Sequence, residues 1–229
     1  EQGAIANTTV WLVHVNGTHI SNFVNSTVTN GTQLIGGFVS VSAPGTYNLS
    51  YQLCDYANNC ANFTRRITVD PNVPNYFVPG YPANDSNQSS LNFSIAFTPG
   101  DAVTAIANTT VWLRLQSNGT FLANVANTSG VVNGTSLATN LGGVAGVVSG
   151  SKYNFTIQLC DFSNNCINHT IVNVSIDSDA PNYFLSTIAN NSNQTNTYAN
   201  ITFTPGDALT AVINTTVWLI NVNGTYVSN

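Results

Sequence analysis

Charge is scarce in this sequence. Asp, Glu, Lys and Arg together make up 6% of its 229 residues, and the only cations besides histidine are Arg65, Arg66, Arg114 and Lys152. A nucleic-acid binder must neutralise a row of phosphates, so a chain this poor in cations is excluded from that class. Long apolar runs are missing as well. No stretch approaches the roughly 18 residues of a spanning helix, so the segment contains no membrane span. Helical periodicity is absent, and so is any catalytic constellation. His14, His19 and His169 do not recur at equivalent places and lie in no nucleophile or metal motif, which predicts surface strand residues. The paired carboxylates of a glycosidase cleft are not found either. The chain therefore reads as a non-enzyme with no cofactor.

Something other than side-chain charge must keep such a chain in solution, and N-linked sugar is the reading the sequence favours. Asn-x-Ser/Thr, the acceptor triplet of secreted proteins, occurs about twenty times. The triplets begin at Asn7, Asn16, Asn25, Asn30, Asn48, Asn62 and Asn84, then at Asn87, Asn92, Asn108, Asn118, Asn127, Asn133 and Asn154, and finally at Asn168, Asn173, Asn190, Asn193, Asn200, Asn214 and Asn223. Chance in a chain rich in Asn, Ser and Thr is the competing explanation. Placement argues against it. In Asn92-Phe93-Ser94, Asn154-Phe155-Thr156, Asn173-Val174-Ser175 and Asn200-Ile201-Thr202 the middle residue is apolar. On a strand of period two, that residue enters the core and the Asn and hydroxyl face outward together.

The cysteines agree on compartment. Cys54 and Cys60 flank CDYANNC, and Cys160 and Cys166 flank CDFSNNC. Each pair offers only two sulfurs with no histidine in its loop, which disfavours zinc and favours a local disulfide. So short a loop adds only about 2 kcal/mol by chain entropy, so the bridge shapes a hairpin more than it holds a fold together. Disulfides and sequons together predict a secreted, extracellular or cell-surface protein. With no signal peptide in view and no initial Met, a processed chain or a fragment is expected.

Self-similarity sets the architecture. Ala6 to Leu12 returns as Ala107 to Leu113 and again as Ile213 to Leu219, and the cysteine hairpins return with it. The cysteines and the last of these returns give a period of about 106 residues, near the roughly 100 of an immunoglobulin-like sandwich. The expected organisation is residues 1–74 as a repeat lacking its first strands, 75–181 as a complete repeat, and 182–229 as the opening of another. Within the complete copy about seven strands are predicted, near Tyr76–Pro79, Ser90–Phe97, Thr109–Leu115, Thr120–Val125, Thr135–Leu141, Tyr153–Leu159 and Asn168–Ile176. Turns are expected at Thr98-Pro99-Gly100-Asp101, Ser117-Asn118-Gly119 and Asn133-Gly134. Tyr153, Phe155, Ile157 and Leu159 should form the dry face of one strand, and Asn154, Thr156 and Gln158 its wet face. Asp55, Asp161, Asp101 and Asp207 read as turn aspartates, with calcium as the lesser alternative. The linker residues Asp70, Asp177 and Asp179 have too few neighbouring carboxylates for a calcium joint to be favoured.

The second hairpin carries a resemblance. Tyr153, Phe155, Ile157, Cys160, Asp161 and Asn165, followed by Val174-Ser175-Ile176-Asp177 and Ala180-Pro181, resemble the last hairpin and linker of bacterial-type immunoglobulin-like repeats in long surface proteins. The motif covers about a quarter of each repeat and reports a turn and a linker rather than a site. Sequon density, low charge and β-repeats are also similar to the pilins of archaeal thread filaments. That likeness implies subunits joined by donor-strand complementation. Residues 1–70 lack the opening strands that the tail from Tyr183 to Phe203 contains, so Asn200, Ile201, Thr202 and Phe203 are expected as a donor to the head of the next chain, the rival being a segment of a longer tandem protein whose domains are completed by their own chain. The function expected is a glycan-coated structural repeat of a filament, pilus or sheath that partners copies of itself. The alternative is the stalk of an adhesin or surface-layer protein.

Overall fold

A computed structural model of the chain describes residues 4–29, 31–34, 36, 41, 43–92, 94–127, 129, 131–141, 144–195 and 201–228, the side chains of Tyr183 and Ser228 excepted. The regular elements among the described residues are all β-strands. In the first repeat, β1 (Ile5–His14), β2 (His19–Asn25), β3 (Gly45–Asp55) and β4 (Cys60–Val69) form one antiparallel sheet in the order β2-β1-β3-β4. Gly17 makes the β1–β2 reversal at φ +91°, a conformation open to a residue without Cβ. The register sets Leu12 opposite Leu49, Val10 opposite Tyr51 and Thr8 opposite Leu53, so the inward rows of β1 and β3 lie side by side.

The second repeat is a β-sandwich. Its strands are β5 (Tyr76–Tyr81), β6 (Asn87–Gln88), β7 (Ser94–Gly100), β8 (Ile106–Leu115), β9 (Phe121–Asn127), β10 (Leu137–Asn140), β11 (Ser151–Asp161) and β12 (Cys166–Ile176). They form a three-stranded sheet, β10-β7-β5, and a five-stranded one, β6-β12-β11-β8-β9. Ile95 and Phe97 from the first sheet meet Val111, Leu113, Tyr153, Phe155, Ile157, Leu159 and Ile171 from the second in one core. The alternation expected for β11 holds. Tyr153, Phe155, Ile157 and Leu159 are each 0% exposed, whereas Asn154, Thr156 and Gln158 are half-buried. Burying each of these large side chains contributes about 1.5–3 kcal/mol.

One expected turn is a strand. Thr98, Pro99 and Gly100 continue β7 and pair with Val78, Phe77 and Tyr76. Pro99 is tolerated because β10 extends along β7 only as far as Phe97, so no ladder partner asks for the missing N–H. Asn173, at φ +58°, makes a bulge in β12 where the register with β11 shifts. The first repeat has no such break, since β3 and β4 pair without interruption from Gly45–Val69 to Cys54–Cys60.

In the third repeat, β13 (Tyr183–Ser186) pairs with β14 (Phe203–Gly206), and β15 (Leu219–Ile220) with β16 (Tyr226–Ser228). Phe184 lies opposite Pro205 as Phe77 lies opposite Pro99, so β13 and β14 repeat the pairing of β5 and β7.

Candidate assembly interface

Two apolar surfaces stand open among the described residues. In the first repeat, the inner face of β2-β1-β3-β4 has no opposing sheet among the described residues. Thr8, Val10, Phe23, Leu49, Tyr51 and Leu53 line a groove of about 300 Å³ there. Leu49, Tyr51 and Leu53 are half-buried, whereas their counterparts Phe155, Ile157 and Leu159 are sealed under β7. Phe63 on β4 is 55% exposed. In the third repeat the matching strands stand open among the described residues. Phe184 is 67%, Leu185 57% and Ile201 44% exposed, although Ile201 and Phe203 are the counterparts of the buried Ile95 and Phe97. The Phe184–Phe203 pair, with centroids 5.6 Å and planes 33° apart, repeats the Phe77–Phe97 pair at 5.8 Å and 32°. Of the expected donor residues, Phe203 pairs within its own chain with Ser186, Ile201 and Thr202 precede that strand, and Asn200 lies outside the described residues.

A second feature stands where one repeat passes into the next. The Asp70 carboxylate accepts the Thr104 hydroxyl at 2.8 Å, and the Asp70 carbonyl accepts Asn165 Nδ2 at 2.8 Å. Asp161 is tied by the N–H groups of Ser163 and Asn165 and by Asn165 Nδ2, and Asp101 by the N–H groups of Val103 and Thr104. Carboxylate oxygens of Asp70, Asp101 and Asp161 lie within 4.8 Å of one another, and all three residues are buried. Their oxygens form the hard-donor type of set that suits calcium or magnesium, and each carboxylate also draws on N–H or O–H donors that offset the mutual repulsion. Asp179 belongs elsewhere, accepting the Ser149 hydroxyl.

In the sequence these aspartates lie apart, Asp101 and Asp161 in turns and Asp70 in a linker, and the fold brings them together. The available signal was their recurrence, once per repeat, as Asp55 and Asp161, Asp101 and Asp207, Asp70 and Asp177. The next junction repeats the contacts: Asp177 accepts the Thr210 hydroxyl at 2.7 Å, and Asp207 accepts the N–H groups of Leu209 and Thr210. The Thr210 N–H, followed by that of Leu209, holds the Asp207 carboxyl below its usual range. In the first repeat Asp55 closes the same loop, and the Asn59 side chain, then its N–H, holds the Asp55 carboxyl low.

Every described sequon asparagine is exposed or half-buried. Asn30 and Asn200 lie outside the described residues, as does Phe93 within the Asn92 triplet. Phe155 and Val174 enter the core as expected. Asn16, Asn25, Asn118, Asn127 and Asn223 each accept, through Oδ1, the N–H of the residue two further on, a local turn that does not use the nitrogen a sugar would take. Cys54–Cys60 and Cys160–Cys166 are disulfides within their own hairpins. His19 is exposed as expected, and His14 is half-buried against Tyr47. His169 departs from expectation. It faces inward and stacks on Phe77, because Ile167, His169 and Ile171 share the dry row of β12.

No protein-family model matches the chain, and no curated protein does. Among solved structures it is similar to a tetra-tandem repeat in the extending region of a large adhesion protein, with TM-score 0.41 and 14% identity over 80% of this chain. The chain spans 43% of that structure's length. It is also similar to the fibronectin(III)-like modules of Clostridium thermocellum CbhA, with TM-score 0.37 and 12% identity, covering 80% of this chain and 85% of that one.

Proposed function

We propose that the chain is the structural repeat unit of a heavily N-glycosylated extracellular filament, pilus or surface sheath, joined head to tail by strands that one copy supplies to the next. One observation carries this reading: the open sheet of the first repeat and the exposed hairpin of the third are the two halves that the second repeat holds together. Added to the first repeat of a second copy, the segment through Ile201 and Phe203 covers Leu49, Tyr51 and Leu53 as Ile95 and Phe97 cover Phe155, Ile157 and Leu159. Strand addition of this kind fills the groove and removes apolar surface from water. A contact between different patches on each copy does not close on itself, so it propagates as a fibre. Arg65, at the place of the buried Ile171, is exposed on the edge strand β4, where its aliphatic stem can cover apolar surface while the guanidinium stays wet.

Glycans complete the reading. With few charges on the outer faces, sugar at the sequons keeps neighbouring fibres apart. Asn62 on β4 and Asn168 on β12 would also shield strands that carry unpaired edges. The repeats divide near residues 74 and 181, and the cystines and sequons agree with a secreted or cell-surface location.

A second reading, the stalk of an adhesin or surface-layer protein, is favoured by the junctions. Asp70 to Thr104 and Asp177 to Thr210 join successive repeats of one chain by the same contact, as an array completed by its own sequence would. Intact mass after deglycosylation, combined with electron microscopy of the native material, decides between them. A mass near 24.2 kDa with filaments that part only under denaturing conditions supports strand exchange. A mass several times larger favours the stalk, and isolated monomers at 24.2 kDa overturn the filament.

A further inference from the structure

We infer that Asn133, although its sequence makes it an acceptor triplet, carries no glycan and serves as a latch that fastens the β9–β10 connection to the end of β7 beside the acidic junction. The inference rests on the reading of the sequons as glycan acceptors and concerns which of them the fold withholds. Asn133 Oδ1 accepts the N–H of Asp101 at 2.6 Å, and Asn133 Nδ2 donates to the carbonyl of the same residue at 2.7 Å. The Gly134 N–H then donates to the Pro99 carbonyl at 2.8 Å. These three bonds extend the β10–β7 contact past Pro99. Asp101 is thereby gripped at its backbone while its carboxylate caps Val103 and Thr104, and Thr104 in turn holds Asp70. The latch thus acts on the junction through Asp101.

The chemistry of the carboxamide sets the exclusion. A side-chain amide that grips the N–H and C=O of one residue uses its oxygen and the hydrogen lying on the same side as that oxygen. N-glycosylation converts it to a secondary amide, whose trans form places the sugar carbon on that side and turns the remaining N–H away. A sugar on Asn133 must therefore break the bond to the Asp101 carbonyl or force the strongly disfavoured cis amide. Exposure is not what protects Asn133, since the residue is exposed; engagement is. Asn16, Asn118 and Asn223 are internal controls, for they begin the same Asn-Gly-Thr triplet. Each uses its oxygen toward the threonine two residues on, and among the described residues its nitrogen is unengaged. Local sequence cannot separate the four, whereas the partner at Asp101 does.

Site-resolved glycopeptide mass spectrometry of the native protein is the test. Sugar on Asn16 and Asn118 with Asn133 bare is the expected result, and Asn133 occupied as fully as Asn118 overturns the inference. Bare asparagines at all three positions would instead count against the glycan reading, and the latch is then judged by stability in chain made without glycosylation. There, Asn133→Ala and Asn133→Asp, the latter keeping an acceptor and losing the donor, should each lower the unfolding midpoint of the second repeat by about 4–8 °C. Asn118→Ala should leave it in place, and equal effects at Asn118 and Asn133 overturn the latch.

Discussion

The imidazole of His169 lies flat on the ring of Phe77, with centroids 4.0 Å and planes 4° apart. The two residues come from facing sheets, β12 and β5, and close one side of the sandwich. His169 Nε2 is buried without a hydrogen-bond partner, and burial pushes the imidazole pKa below its ordinary value of 6.5. The unfolded chain takes up the proton at the ordinary value and the folded chain only at lower pH. Stability is therefore full above the unfolded pKa and is lost as pH falls through the folded one. Chemical denaturation of the second repeat should show a falling midpoint from about pH 7 to about pH 5. His169→Phe, which places there the residue found at Phe63, should remove that component, and a variant as pH-sensitive as the parent counts against the assignment.

Core substitutions should report how complete each repeat is. Phe155 is sealed between sheets, so Phe155→Ala should cost about 3–5 kcal/mol. Its counterpart Leu49 is half-buried, so Leu49→Ala should cost clearly less in isolated chain, measured by the same denaturant titration. In assembled material the two costs should converge, because the groove beside Leu49 is then filled.

The junction offers a single-atom test. Thr104→Val keeps the shape of the side chain and removes the hydroxyl that bonds Asp70, leaving a buried carboxylate short of a donor. A loss of about 1.5–3 kcal/mol is expected, together with faster proteolysis in the linker at residues 71–74. Unchanged cleavage and stability would show that the hydroxyl does not hold the junction.

Non-reducing peptide mapping should recover Cys54 with Cys60 and Cys160 with Cys166, and no cross-pairing. Each bridge closes a loop with a sequence separation of 6. Reduction should therefore lower stability by only about 2 kcal/mol and leave the second repeat folded.

What was legible in the sequence had a local signature. The period of two from Tyr153 to Leu159 and the paired cysteines each report geometry within one hairpin, and both are found in the structure. Thr98-Pro99-Gly100 misled, because Pro and Gly mark turns unless a short neighbouring strand leaves the position unpaired, and the length of β10 is not a local property. His169 reads as a surface residue because it does not recur and lies in no motif, a reading that leaves out the phase of β12, in which Ile167 and Ile171 put its row inward. The acidic cluster escaped because Asp70, Asp101 and Asp161 lie in three separate segments, and only the fold draws them together.

Strand exchange makes a prediction about which mixtures can grow. Superposing the repeats by sequence places Phe63 where His169 stands and Phe184 where Phe77 stands, so a donated hairpin should lay Phe184 of one copy on Phe63 of the next. Both rings are more than half exposed, at 55% and 67%, and Phe184 already holds the orientation toward Phe203 that Phe77 holds toward Phe97. Phe63→Asp should give a chain that donates but cannot accept, because an unpaired carboxylate is costly in an apolar contact. Phe184→Asp should give a chain that accepts but cannot donate. Neither variant alone should form filaments, while the second repeat of each keeps its unfolding midpoint. An equimolar mixture should stop at one-to-one dimers, since each pair leaves one blocked end on either side, and light scattering reads that size directly. Filaments from either variant alone would sink strand exchange through this contact, and full-length filaments from the mixture would show that the two rings do not meet.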